Sequence, residues 1–170
     1  RHRRGLLPDA PLWENAMLGH QTQPPYARGP WLNRSGAREA TTRIVSSFDV
    51  RTPGIDTSAR ALSGGNQQKL VIGREMQAGP RMLVAAHPTR GIDVGAQAAV
   101  WENLRTARRD GLAVLLVSAD LEELIGLADR LVVMLRGRIV AELDPATTTP
   151  RLLGGHMTGA AGEATDDEGR

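Results

Sequence analysis

Two short apolar runs, at residues 82–86 (MLVAA) and 112–117 (LAVLLV), lack the polar alternation of a half-solvated strand. They predict strands buried on both faces of a parallel sheet. Between them, residues 95–110 place Ala96, Ala99, Val100, Leu104 and Ala107 on one helical stripe. Residues 120–129 repeat the pattern with Leu121, Leu124, Ile125 and Ala128. Strand, helix, strand, helix implies the right-handed crossovers of an α/β fold. Residues 131–135 and 138–143, joined through Arg136-Gly137, read as a hairpin at the end of the sheet. A last short helix is expected within 145–153. Residues 158–170, rich in Gly, Ala, Asp and Glu, predict a disordered tail.

Ahead of residue 80 the pattern is helical. Residues 12–18 (LWENAML) predict a short helix, and 19–30, with three prolines and Gly29, a loop. Ser35 is placed to cap a helix reaching about residue 48, with Ala37, Ala40, Ile44, Val45 and Phe48 on one face. Pro53-Gly54 marks a turn. A further helix begins just after Ser63-Gly64-Gly65 and ends near Ala78-Gly79-Pro80. Such a helix start aims unpaired N–H groups and the positive end of the helix dipole at whatever lies in front. Glycines let an anion approach the backbone, and the Ser63 hydroxyl adds a donor. The competing reading is a plain serine cap beside an ordinary turn.

Composition narrows the picture a little. A chain of 170 residues with 3% aromatics must build its core from Leu, Val, Ile and Ala. Lys69 is the only lysine, and the 21 basic residues leave a net charge of +2, spread out apart from Arg1-His2-Arg3-Arg4. Nucleic-acid binding needs a clustered basic patch, so no nucleic-acid partner is expected. Without cysteine there is no disulfide framework, thiol nucleophile or thiolate metal site. The longest apolar run falls far short of the ~20 residues that span a bilayer. No signal peptide is evident, and the opening on Arg1 reads as the middle of a longer sequence.

The stretch Leu62-Ser63-Gly64-Gly65-Asn66-Gln67-Gln68-Lys69 resembles the signature loop of the ATP-binding-cassette (ABC) ATPases, in the wording of sugar and nucleoside importers. Three more blocks follow in the family's order. Residues 81–95 resemble the Walker B strand and D-loop, 112–127 the switch region, and 129–142 the closing hairpin. The resemblance runs from about residue 1, where RHRRGL resembles the phrase after the Q-loop, to about residue 155. It implies an α/β fold, part of a P-loop NTPase domain, with a helical subdomain followed by the second part of a mainly parallel sheet core. The expected organisation is a partial nucleotide-binding domain over 1–157. Within it the helical subdomain, which faces the permease in the family, spans 12–79, and the core remainder 80–157.

The resemblance also shows what is missing. No G-x-x-x-x-G-K-[ST] phosphate loop occurs, and Lys69 lies inside the signature helix. The positions of the Walker B aspartate and the catalytic glutamate hold Ala86 and His87, and that of the switch histidine holds Ala119. Alanine cannot help hold Mg²⁺, and a His87 base beside it would lack a metal anchor. His87 therefore reads as a histidine lodged at a strand end, no catalytic residue is intact, and no metal site is expected. The signature side is whole. Ser63, Gly64 and Gly65, with Gln67 nearby, would bond ATP held by a partner domain, and Asp93 would stand in the D-loop at the interface. Asp93 also reads as a plain helix cap.

These residues imply an ATP-binding component of a sugar or nucleoside importer, one that lends its signature loop in trans. Its partners would be a second nucleotide-binding domain carrying the P-loop and the transmembrane permease subunits. The cofactor would be ATP with Mg²⁺ in the assembled pair, and the location the cytoplasmic face of the plasma membrane. The solute is not specified by this domain. One alternative is a non-catalytic module docking on the permease through the Ile44–Val45–Phe48 face. A second is a truncated, inactive remnant whose strands expose apolar edges. A third, a DNA-repair or chromosome-structure ATPase, is disfavoured by the NQQK and PTRGID wording and by the lack of long heptads. Because the phosphate loop is absent, the 170-residue chain alone should show negligible ATP affinity by equilibrium dialysis with Mg²⁺-ATP. Saturable binding would show that other residues hold the phosphates.

Overall fold

The computed structural model describes residues 5–160, so Arg1 to Arg4 and the expected tail beyond Ala160 lie outside the described residues. The described residues divide into two compact units, one from those up to 83 and from 88–113, the other from 84–87 and from 114 onward.

The first unit opens with helix α1 (Leu12–Ala16) and a small hairpin of β1 (Ala27–Arg28) and β2 (Trp31–Leu32), the latter falling in and beside the expected loop. Helix α2 (Arg34–Ser47) is capped by Asn33, whose side chain accepts from Gly36 N, and not by Ser35, which lies inside the helix. The reason is local. Asn33 also donates from Nδ2 to the Pro25 carbonyl at 2.9 Å, which fixes the chain entering the helix. The C-terminus of α2 closes as a Schellman motif, with Val50 N donating to Val45 O and Asp49 N to Ser46 O. Asp49 takes the left-handed position with φ 47°, where glycine is usual. Lys69 offsets that cost, since its ammonium donates to the Asp49 carbonyl at 2.8 Å and to Oδ2 at 3.1 Å.

Helix α3 (Gly64–Gln77) follows a 3₁₀ turn (Ala59–Ala61). It buries Leu70 against Leu6, Leu12, Ala16, Ile44, Val50, Ala59 and Leu62, with Val45, Phe48 and Val71 packed around them. The Ile44–Val45–Phe48 face is therefore spent on this core. A docking surface was one reading of that face, and burial of Ile44 at 2% exposure corrects it. Asn15 is fully buried and fully used: it accepts from Leu7 N and donates to the carbonyls of Leu7, Ala10 and Pro11. Helix α4 (Val94–Arg109), which buries Val100, Leu104 and Ala107, belongs to this unit too.

Strands β3 (Met82–Ala86) and β4 (Ala113–Val117) pair with each other. Ala113 N donates to Arg81 O and His87 N to Val117 O, so the two run parallel. The expected burial on both faces is not met. Met82 is 54% exposed, Val84 60%, Leu115 48% and Val117 46%. These residues alternate along their strands and share one face, which the described residues leave uncovered. The apolar runs are those of a fully covered sheet, and the cover here is one-sided.

The second unit contains α5 (Leu121–Leu127), the antiparallel pair β5 (Leu131–Leu135) and β6 (Arg138–Leu143), and α6 (Pro150–Thr158). Positive φ at both Arg136 and Gly137 gives the two-residue turn that matches strand twist. Leu131, Val133 and Leu153 form the core, with Leu121, Leu124, Ile125 and Ala128 packed on it, as the periodicity predicts. The last helix starts later than 145–153 suggests, because Thr149 supplies the cap by accepting from Leu152 N and Pro150 sits in the first turn.

The α2–α3 packing makes one position diagnostic. A Cβ added at Gly73 would lie 2.6 Å from Ile44 Cγ2 and 2.8 Å from Phe48 Cδ2. Gly73→Ala should therefore destabilise the unit by about 1–3 kcal/mol in urea unfolding, although alanine is the better helix former. A neutral or stabilising result would show that these helices can move apart freely.

Candidate functional site

The signature residues stand at the start of α3. Ser63 is the N-cap, with extended backbone (φ −61°, ψ 157°), and its side chain accepts from Asn66 N. Gln67 N donates to the Ser63 carbonyl at 2.9 Å. Among the described residues this leaves the N–H groups of Gly64 and Gly65 without an intrahelical acceptor, at the positive end of the dipole. Ser63 and Gly64 are exposed, whereas Gly65 is buried.

What buries Gly65 is the other candidate loop. A Cβ at position 65 would collide with Ala96 Cβ, and its next neighbour would be Asp93 Oδ2 at 3.9 Å. A Cβ at position 64 would meet only ordinary contacts, 3.6 Å from the Gly91 carbonyl oxygen and 3.8 Å from Ile92 Cγ2. So the D-loop stretch, residues 91–96, packs on the signature loop. Asp93 is exposed and caps α4, its Oδ1 accepting from Ala96 N at 2.9 Å. The helix-cap reading of Asp93 is thus a structural fact, and its second carboxylate oxygen lies on the side of Gly65. Two helix N-termini meet at this point because residue 65 has no side chain.

Gln67 faces inward. Its Nε2 donates to the carbonyls of Ala59 at 3.0 Å and Leu62 at 3.1 Å, and its Oε1 is buried with no partner among the described residues. The side chain therefore braces the turn leading into Ser63. Sequence reasoning passed over Asn66, whose Nδ2 donates to Ser63 Oγ at 2.9 Å and whose Oδ1 accepts from Arg51 N at 2.8 Å. The spacing held only a partial signal: a polar residue three after a serine cap can fold back on the cap, but Asn66 bonds the Ser63 hydroxyl and not its N–H, so this is no reciprocal capping box.

The positions expected to hold metal and base lie in the second unit, at the C-terminal ends of β3 and β4. Strand ends of this kind are where α/β folds bind ligands. Ala86 ends β3 and offers no side-chain oxygen to a cation. His87 has a left-handed backbone (φ 48°) and is half-buried, with its N–H held by Val117 O at 2.7 Å. Ala119 is exposed between Ser118, whose hydroxyl accepts from Asp120 N, and Asp120, which caps α5 through Glu122 N and Glu123 N. Among the described residues no group of three or more His, Asp or Glu is placed to hold a metal ion. The helix end in the first unit fits a phosphate, with the Ser63 hydroxyl and the Gly64 N–H at an exposed surface and the N–H of the buried Gly65 beside them. The strand ends do not fit Mg²⁺, because the side chain that would anchor it is a methyl group. No helix among the described residues is long and apolar enough to cross a membrane.

No family model matches the chain. The guanosine import ATP-binding protein NupO of Bacillus subtilis is 45% identical over 160 residues, 94% of this chain and 31% of that protein. The ribose import ATP-binding protein RbsA 1 of Streptomyces avermitilis is 42% identical over 149 residues, 86% of this chain and 28% of that protein. The chain thus spans about a third or less of the curated relatives it matches. In fold it is similar to the dimeric ATP-binding cassette MJ0796 bound to ADP and Pi, with a TM-score of 0.68 at 20% identity, over 82% of this chain and 59% of that one. It is likewise similar to a putative metal-chelate type ABC transporter in an inward-facing conformation, with a TM-score of 0.72 at 13% identity, over 88% of this chain and 59% of that one. On sequence along most of its length and on fold, this chain belongs to the ATP-binding-cassette family, and it matches about a third of the length of relatives named as nucleoside and sugar import ATP-binding proteins.

Proposed function

We propose that the chain is the signature-bearing part of a degenerate nucleotide-binding domain in a sugar or nucleoside importer. Its site works in trans: Ser63, Gly64 and Gly65 face the terminal phosphate of ATP held by a second domain that carries the phosphate loop, the metal ligand and the base. Asp93 stands beside them at the domain interface, and Gln67 acts by bracing the loop. The assembled pair binds ATP with Mg²⁺ and works with transmembrane permease subunits at the cytoplasmic face of the plasma membrane.

The observation that carries this reading is a contrast within one chain. The anion-ready helix end is intact and tightly seated, whereas the strand ends hold Ala86, His87 and Ala119 where metal and proton chemistry would need Asp, Glu and His. When bound at the partner's loop, ATP and its metal supply the phosphoryl chemistry. This chain's own residues supply donors to the terminal phosphate. A hydroxyl and backbone N–H groups aimed at developing negative charge are an effective way to stabilise phosphoryl transfer.

The relatives' names favour import over the non-catalytic docking module and the inactive remnant, which remain distinguishable by substitution. Gly64 is the informative position, because a side chain there meets only ordinary contacts. Gly64→Asp leaves the loop folded but sets a carboxylate against the incoming phosphate. In the assembled importer ATPase, Gly64→Asp should abolish hydrolysis with little change in the thermal midpoint, and Ser63→Ala should reduce it strongly while costing about 1 kcal/mol of stability through the lost helix cap. Normal turnover of Gly64→Asp would refute the in-trans role and leave the docking or remnant reading.

A further inference from the structure

We infer that Asn66 is a positioning residue that sets the polarity of the Ser63 hydroxyl, holding its proton outward for the phosphate. This rests on the in-trans reading above and deepens it. A hydroxyl has one donor and two acceptor sites. Ser63 Oγ accepts from Asn66 Nδ2 at 2.9 Å and, more weakly, from Asn66 N at 3.4 Å. With both acceptor sites turned toward Asn66, the remaining capacity of the hydroxyl is to donate, and Ser63 is exposed.

The orientation of the Asn66 amide is fixed from its other end. Its Oδ1 receives the Arg51 N–H at 2.8 Å, a group that can only donate. The carbonyl side must therefore face Arg51 and the NH₂ side must face Ser63. Were the amide reversed, its oxygen would face Ser63 Oγ and draw the hydroxyl proton inward, while its NH₂ would confront the Arg51 N–H. The Arg51 segment is anchored in turn, because Lys69 from the same helix grips Asp49 two residues earlier. A chain of bonds thus runs from the end of α2 through Asp49, Arg51 and Asn66 to the proton of Ser63, all within the first unit.

Asn66→Asp separates this role from a merely structural one. The carboxylate still accepts from Arg51 N, and a negative charge in the first turn suits the helix dipole, so the fold is retained. It also accepts from the Ser63 hydroxyl, reversing that group's polarity. The test uses the assembled ATPase and measures kcat and KM for ATP with the thermal midpoint, for Asn66→Asp, Ser63→Ala and the double variant. We expect Asn66→Asp to lower kcat by ~10-fold or more with little change in midpoint, the scale of a lost hydrogen bond to a charged group. In the Ser63→Ala background the same substitution should cost less than about twofold further, because the proton it misdirects is gone. An equal loss in both backgrounds would assign the effect to charge repulsion and overturn the positioning role. So would full turnover of Asn66→Asp beside a defective Ser63→Ala. Full turnover of Ser63→Ala would overturn the in-trans reading itself, and this inference with it.

Discussion

The close approach of α3 and α4 at Gly65 is the constraint on which the rest of the first unit depends. The position admits no side chain, because Ala96 occupies the space that a Cβ would fill. Two helix starts, each with its own cap, are thereby brought to one place. The caps differ in charge. Ser63 is neutral and leaves its helix end able to accept an anion, while Asp93 is charged and partly neutralises its own. A phosphate would find the more favourable field at α3, and the Asp93 carboxylate would border it. The electrostatic difference between the two loops thus follows from which residue type caps which helix.

The same logic explains why losses at the strand ends need not disturb the fold. Ala86 and Ala119, where the resemblance implies an aspartate and a histidine, stand at positions that contribute little to packing, since both alanines are exposed. The cores lie elsewhere, around Leu70 and Ile44 in one unit and around Leu131, Val133 and Leu153 in the other. A domain can shed catalytic side chains at its loops and keep its architecture, provided glycines such as 65 and 73 are kept where helices touch.

Much of this was legible in the sequence, and the limits have physical causes. The stripe of α4, the face of α5 and the Arg136-Gly137 hairpin follow from periodicity and turn chemistry, which are local properties. The cap of α2 was misplaced because Ser35 and Asn33 are both good caps. A contact from Asn33 to the distant Pro25 carbonyl decides between them. The apolar face of α2 was correctly read as a face but could not be assigned to a core or a surface until Leu70 was seen packed against it. The continuous apolar runs of β3 and β4 record a two-sided environment, and sequence alone does not say which chain segment provides each side. At the candidate site, Ser63, Gly64 and Gly65 were readable from type and order. The inward turn of Gln67 and the bridge made by Asn66 depend on backbone groups at residues 51, 59 and 62, which no motif encodes.

The Lys69 ammonium, anchored on the backbone and carboxylate of Asp49, has a practical corollary. It is the sole lysine in the chain and only 8% exposed. Amine-directed reagents therefore meet no readily accessible lysine side chain while the signature helix is seated. Acylation at that one position becomes a built-in clock for how often the helix lets go of the loop behind it.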